Sequence, residues 1–248
     1  MKIAVCLSGI CRGNVKRNLE HMRHQFNYDY FFATWKGREK DIEVSLPGEK
    51  YFTAVEPKMH YHPIIDVPNL LSPKLKAYME AFKSGQYKKN MIDRTLNHTK
   101  QILAHAFLLE KIPNEYDMII RARYDTFISK QVNLHKFIDE SYTKKQAIGF
   151  GTRNSRHSNF LEIKEIPQLY PDGKKKISQD WGWYIMDPII MHRRDMFNLD
   201  LVWKLHNEKK LLPAENGWYQ ILSEPYGDNH RCFYGGVQIE KYLKSTIY

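Results

Sequence analysis

YDMIIRARYDTFI, Tyr116 to Ile128, is an apolar run that ends abruptly in charge. Met118, Ile119 and Ile120 are the residue types of a strand buried on both faces, and Arg121, Arg123 and Asp125 follow at once. Unpaired charge is costly to bury, so this group must be solvated, mutually paired or bound to a ligand. In open α/β sheets ligands bind beyond the carboxyl ends of the strands. An Arg-x-Arg array can hold phosphate oxygens in a forked geometry, and a carboxylate beside phosphates commonly serves Mg2+ or Mn2+. The pattern predicts a diphosphate-and-metal site. Its structural alternative is an Arg–Asp pair that only closes the strand.

Toward the N-terminus, KIAVCLSG (Lys2–Gly9) predicts a buried strand. Asn14 is placed to cap a helix in which Val15, Leu19, Met22 and Phe26 recur at helical spacing. YDYFFATW (Tyr28–Trp35) predicts the second strand. This β-α-β start favours a parallel sheet with a right-handed crossover. The loop Ser8-Gly9-Ile10-Cys11-Arg12-Gly13 joins strand to helix. Its glycines let backbone approach a ligand, helix N-termini attract anions, and Arg12 adds a charge. The loop is neither a G-x-G-x-x-G fingerprint nor a P-loop.

Residues 36–72 read as irregular, broken by Pro47, Pro57, Pro63 and Pro68, with short strands near Tyr51–Ala54 and near Ile64. From 73 to 111 the pattern is helical, with Ile92, Leu96, Leu103 and Phe107 on one face and Pro113 beyond its end. After the central strand come a helix at about 133–140, a strand at Ala147–Phe150 and a polar loop over 151–178. DWGWYIMDPIIMH (Asp180–His192) reads as strand material. Two helices follow, one carrying Phe197, Leu201 and Leu205, the other beginning at Pro213 and carrying Trp218, Ile221 and Leu222. HRCFYGGVQIEKYL (His230–Leu243) closes the chain with a strand. No repeat and no low-complexity tail interrupts this alternation, so one α/β domain is expected.

The 248 residues carry a net charge of +10, with 42% hydrophobic and 27% charged residues, an ordinary globular composition. The basic balance suggests anionic partners without choosing among them, and runs such as Lys174–Lys176 and Lys209–Lys210 also suit a solvated face. No apolar run reaches the ~18–20 residues of a membrane span, and MKIAVCLSG is too short to be a secretory signal. Cys6, Cys11 and Cys232 form no disulfide framework and no zinc spacing, so reduced thiols in a cytoplasmic protein are expected. The sequon at Asn97-His98-Thr99 is then accidental.

Other residue groups carry a possible chemistry and a plain structural reading. Asp180 leads an aromatic stretch with Trp181 and Trp183, suiting a general base beside a sugar, or a turn followed by core tryptophans. Glu215 sits where a helix begins, which the helix dipole explains without function. His60-x-His62 could bind a metal but is more ordinary as surface chemistry, and His192 and His230 are looser candidates. Gly149-Phe150-Gly151 follows no phosphate-binding pattern.

Taken in order, these elements resemble a nucleotide-sugar glycosyltransferase of the GT-A fold. More narrowly, the chain is similar to WavE-like lipopolysaccharide-synthesis proteins and related viral glycosyltransferases. KIAVCLSGICRG (Lys2–Gly13) resembles their first strand and donor loop, YDYFFATW their second strand, and YDMIIRARYD (Tyr116–Asp125) the strand leading to their metal motif. QDWGWYI (Gln179–Ile185) and PAENGWYQIL (Pro213–Leu222) fall where such proteins carry an acidic residue and a Glu-led helix.

The resemblance implies a single Rossmann-like GT-A domain over 1–248, with a mostly parallel sheet flanked by helices. Residues 1–130 would be the nucleotide-sugar donor half and 131–248 the acceptor half. It implies that Ser8, Gly9, Arg12, Arg121 and Arg123 line the nucleotide-sugar pocket. Asp125 would be the last carboxylate of an Asp-x-Asp motif holding Mn2+ or Mg2+, and Asp180 the base of an inverting transfer. The first carboxylate of that motif is absent, since the chain reads Arg123-Tyr124-Asp125, and the two arginines could supply some of the metal's charge. The implied partners are a nucleotide-sugar donor and a glycan or glycolipid acceptor, with peripheral contact to an anionic membrane and no nucleic acid. Residues 151–178 would be a lid. The rival readings are a sulfotransferase-like enzyme, which would want a lysine in the first loop, and a basic nucleic-acid-binding domain, which would want aromatics interleaved with Lys and Arg.

Overall fold

In the computed structural model six consecutive buried residues form β1 (Ile3–Ser8), the strand around which the rest of the sheet is ordered. The structure describes residues 1–61, 89–129, 133–151, 161–162, 168–169, 175–176, 185–212, 214–227, 229–234 and 237–239. After β1 come α1 (Val15–Gln25), β2 (Asp29–Trp35), α2 (Glu39–Ser45), β3 (Tyr51–Ala54), α3 (Lys89–Lys111), β4 (Met118–Ala122) and β5 (Thr126–Ile128). The second half adds α4 (His135–Thr143), β6 (Ala147–Gly151), β7 (Leu161–Glu162), β8 (Gln168–Leu169), β9 (Lys175–Lys176) and β10 (Ile189–Arg193). It ends with α5 (Leu199–Asn207), α6 (Ala214–Leu222), β11 (His230–Tyr234) and β12 (Val237–Ile239).

The main sheet has eight strands in the order β3-β2-β1-β4-β10-β6-β11-β7. β3, β2, β1 and β4 are mutually parallel, and β10 runs against both β4 and β6. β11 is parallel to β6, and β7 returns against β11. The chain therefore steps outward from β1 to β3, then comes back to lay β4 on the other side of β1. That reversal makes the β1/β4 boundary the topological switch point of the sheet, where open α/β folds bind ligands. This mostly parallel, helix-flanked sheet is a Rossmann-like α/β architecture.

Alternation along the strands sorts the core into two layers. Val5, Leu7, Phe32, Ile120, Ile148 and Phe150 face α1 and α4, where Leu19, Met22 and Phe137 complete the packing. Ala4, Cys6, Ile119 and Ile190 face α3 and α6, where Leu103, Trp218 and Ile221 do the same. Asn14 caps α1 by accepting from the Arg17 amide at 3.2 Å, and Val15, Leu19 and Met22 are its buried stripe.

Three expectations change. Residues 39–45, read as irregular, form α2, held to the core by one residue, Ile42, which is too little apolar pattern to show as a helix. The strand expected across 180–192 is confined, among the described residues, to Ile189–Arg193. The closing strand is two: β11 joins the main sheet, while β12 pairs antiparallel with β5 in a separate ribbon. The strand expected near Ile64 and the helix over 73–88 lie outside the described residues. No helix among the described residues is long and apolar enough to cross a membrane.

Between the sheet and α3 and α6, His105 and His192 are wholly buried. Their rings sit 5.7 Å apart, and His105 also meets Phe197 at 5.1 Å and Trp218 at 5.5 Å. Neither nitrogen of His105 has a hydrogen-bond partner among the described residues. Burial, reinforced by His192, Arg121 and Arg194, pushes the His105 pKa well below its usual value, and burial takes His192 down to about 4. Both rings are thus neutral in the fold, whereas the unfolded chain protonates them near 6.5. Their stability contribution is complete above about pH 6.5 and is lost as pH falls from there toward 4. For His192 alone the loss at the acid end is on the order of 3 kcal/mol. Chemical-denaturation midpoints measured from pH 7 to 4 should fall steeply below pH 6.5, and His192→Leu should flatten that fall.

Candidate active site

β4 delivers its arginines to the carboxyl edge of the sheet beside the end of β1. Cys6 pairs with Arg121 and Leu7 with Ala122, so the next residue, Arg123, leaves the strand beside Ser8. The first loop closes over this edge. Gly9 and Gly13 adopt φ of +105° and +81°, where a side chain would be strained. The Gly9 amide donates to the Ala33 carbonyl at 3.1 Å. The buried Tyr124 hydroxyl lies 3.1 Å from the Leu7 carbonyl and 3.0 Å from the Ala33 carbonyl, and the Asn18 amide donates to the Tyr124 carbonyl at 3.1 Å. Tyr124 thereby pins the exits of β1, β2 and β4 together.

Arg123 is the hub of the charged cluster. Its Nε and Nη2 donate to the two oxygens of Asp125 at 2.8 and 3.0 Å, and its Nη1 donates to Asp187 Oδ2 at 3.2 Å. Arg12 reaches down from the first loop, its Nε donating to Asp125 Oδ2 at 2.9 Å. Arg121 donates through Nη1 to the Asp187 carbonyl and through Nη2 to Gln101 Oε1 at 2.8 Å, and lies 5.0 Å over the Trp218 ring. Arg121 Nε is buried with no hydrogen-bond partner among the described residues. Three guanidinium groups meet two carboxylates in these ion pairs, and the charge of Glu215 also reaches Arg121.

These groups are ionised. Burial raises the Asp125 carboxyl, but Arg123 and then Arg12 outweigh it and hold the group below the usual carboxylate range. Burial likewise opposes Asp187, and Arg123, Arg121 and His98 overcome it. Burial lowers Arg121 to about 10, still charged at neutral pH, and for Arg123 Asp187 and Asp125 override burial and raise it. Exposure separates the roles. Arg121 is 0% exposed and Arg123 8%, whereas the Arg12 side chain is 54% exposed. Arg12 is the cation of the cluster that a ligand can reach. The Ser8 and Thr34 hydroxyls, near the ends of β1 and β2, are buried with no partner among the described residues.

The metal implied on Asp125 does not fit this donor set. Three N–H groups already occupy the two oxygens of Asp125, out of about four acceptor positions a carboxylate offers. A dication at Asp125 would have to displace Arg12 or share the carboxylate with two guanidinium groups that repel it. Among the described residues no group of three or more His, Cys, Asp and Glu is placed to hold a metal ion.

The other candidates scatter. Asp180, Trp181, Trp183 and the expected lid, apart from 151, 161–162, 168–169 and 175–176, lie outside the described residues, as does His62. His60 is exposed. His192 is a core residue, and His230 bonds the Ser223 hydroxyl at 2.6 Å. Glu215 stands in the first turn of α6, and its charge reaches Arg121. Gly149 is a packing glycine, since a Cβ there would come within 2.8 Å of the Met186 backbone. Sequence reading missed Tyr124 and Asp187. Asp187 was visible as the Asp-Pro step before an apolar strand, a carboxylate at a strand mouth with no stated partner. An open groove of about 190 Å³ lies between α1 and the Ser45–Glu49 segment and includes none of these residues.

No protein-family model matches the chain. No curated protein matches it either. Among solved structures, the chain is similar to 4-diphosphocytidyl-2C-methyl-D-erythritol synthase from Anaerococcus prevotii DSM 20548, at 9% identity and a TM-score of 0.50, over 98% of this chain and 96% of that one. It is also similar, at a TM-score of 0.44 and 13% identity, to a glycosyltransferase involved in the glycosylation of the major capsid of PBCV-1, over 94% of this chain and 82% of that one. A third is core-mannan synthase A from Aspergillus fumigatus in its Mn/GDP form, at 14% identity and a TM-score of 0.43, over 92% of this chain and 68% of that one. The first similarity establishes a shared fold, and the other two carry no weight of their own.

Removing one partner of a buried ion pair leaves an uncompensated charge and costs about 3–5 kcal/mol, while an exposed pair is worth ~0–1 kcal/mol. Arg123→Ala should therefore lower the thermal midpoint by about 10 °C and Arg12→Ala by about 2 °C or less, read by scanning calorimetry at neutral pH.

Proposed function

We propose that the chain is a nucleotide-sugar glycosyltransferase, moving a sugar from a nucleoside-diphosphate donor to a hydroxyl of a glycan or glycolipid. The observation that carries this reading is Arg12: an exposed guanidinium, anchored by Asp125, at the carboxyl edge where the sheet order reverses. Ser8 and Gly9 would meet the donor from the same loop, with the free Ser8 hydroxyl accepting or donating a hydrogen bond. Arg123 would orient Arg12 through Asp125, and Arg121 would support Arg123 from inside through Asp187.

As the glycosidic bond breaks, negative charge grows on the departing diphosphate. A guanidinium held there stabilises the transition state more than the ground state, because it is already oriented when the charge develops. If the transfer inverts configuration, Asp180 is the candidate base that takes the acceptor proton as the hydroxyl attacks from the opposite face. The narrower likeness to WavE-like and viral glycosyltransferases supports an acceptor in lipopolysaccharide or another surface glycan, handled in the cytoplasm. A net charge of +10 supports peripheral contact with an anionic membrane. The donor half over 1–130 and acceptor half over 131–248 belong to the same reading.

A nucleotidyltransferase is a second reading, prompted by the name of the synthase that shares the fold at a TM-score of 0.50. A thermal-shift series with UDP, GDP, CDP, dTDP, their sugar conjugates and the matching triphosphates separates the two. At 100 times its Kd a ligand stabilises by ~2.7 kcal/mol, roughly 5–10 °C for a domain of this size. At least one diphosphate or nucleotide sugar should produce such a shift. A response to triphosphates alone would favour nucleotidyl transfer, and no response to any nucleotide would contradict both readings. Asp180→Asn should then keep the donor shift while losing transfer to a hydroxyl acceptor.

A further inference from the structure

In the GT-A pattern that the sequence resembles, the carboxylate at the Asp125 position would belong to a metal. Here the same carboxylate faces three guanidinium N–H donors from two arginines. Arg123 takes it in a fork through Nε and Nη2, and its remaining Nη1 is spent on Asp187. Asp125 is thus enclosed on the side of Arg123 and capped by Arg12 from the loop. Arg12 touches Asp125 through Nε, and no hydrogen bond of its two Nη groups is recorded among the described residues.

That arrangement has a chemical consequence. A guanidinium bound to a carboxylate through Nε is fixed in orientation, and its Nη groups remain planar donors suited to phosphate oxygens. Arg12 is the most exposed of the cluster's three arginines. The Ser8 hydroxyl, at the end of β1, is buried with no partner among the described residues. We infer that the chain binds the nucleoside diphosphate without a divalent metal, with Arg12 as the diphosphate contact and Asp125 as the residue that positions it. The inference rests on the nucleotide-sugar reading and adds which group holds the leaving diphosphate. It departs from an Asp-x-Asp metal site at the position where the first carboxylate is replaced by Arg123. Arg123 in this arrangement neutralises Asp125 from the inside, and that leaves the second face of the carboxylate to orient Arg12 rather than an ion.

Calorimetric titration of the full chain with UDP, GDP, CDP and dTDP, in EDTA and again in Mn2+, tests this. Whichever diphosphate binds should do so in EDTA with a Kd no weaker than in Mn2+. Arg12→Ala should weaken binding at least tenfold in both buffers, and Arg12→Lys, which keeps the charge and loses the fork, should recover part of it. Asp125→Asn separates positioning from ligation. As a positioning residue it should weaken binding equally in the two buffers, whereas a metal ligand would weaken it only in Mn2+. The electron paramagnetic resonance spectrum of Mn2+ with protein and diphosphate both present should match that of Mn2+ with the diphosphate alone. Binding that requires Mn2+, or a bound-Mn2+ spectrum lost in Asp125→Asn, would overturn the inference and leave the glycosyltransferase reading standing. No binding in either buffer would overturn both.

Discussion

Everything at the carboxyl edge of the sheet depends on how one guanidinium, that of Arg123, is divided between two buried carboxylates. Arg123 leaves β4 and holds Asp125, two residues on, with one side of its fork. With the other it holds Asp187, which lies just before the antiparallel strand β10. Charges this deep are tolerated only when paired and hydrogen-bonded, and here the pairing also staples consecutive parts of the sheet that are far apart in sequence. Arg121 repeats the device one layer further in, bridging Asp187 to Gln101 of α3 and packing on Trp218 of α6. The two arginines thus differ in depth as well as in partner. One organises the edge, and the other ties that edge to the helices beneath it.

The rim inherits its order from this interior. Tyr124, between the two ends of the Arg123–Asp125 fork, carries its hydroxyl back under the first loop to the carbonyls of Leu7 and Ala33. The loop is held from below by Tyr124 and shaped by two glycines in the left-handed region, so Arg12 is presented from a fixed base. A flexible arginine on a mobile loop would lose much of its electrostatic effect to reorganisation; one anchored at Nε is oriented before a ligand arrives. The proposed function rests on the fold's switch point and on three arginines gathered there.

Much of this was legible in sequence, for identifiable reasons. β1, β2 and β4 show as apolar runs because both faces of a parallel sheet are covered, and α1 shows through Asn14 and the Val15, Leu19, Met22 stripe. The abrupt charge after Ile120 marked the carboxyl edge correctly. What sequence could not supply was pairing. Whether Asp125 faces a metal or an arginine depends on where Arg12 and Asp187 arrive, one from 113 residues earlier and one brought in by a strand 64 residues beyond Arg123. The antiparallel insertion of β10 between β4 and β6 was illegible for the same reason, since direction leaves no mark on a five-residue strand. α2 was missed because a helix with one buried residue has no periodicity to read.

The most direct measurement is a crystal structure of the chain with a bound nucleoside diphosphate, grown with Mn2+ present. A phosphate oxygen is expected about 2.7–2.9 Å from an Arg12 Nη atom, with the Arg123–Asp125 fork intact and no ion between Asp125 and the phosphates. A Mn2+ ion coordinated by Asp125, with Arg12 displaced from the carboxylate, would contradict it.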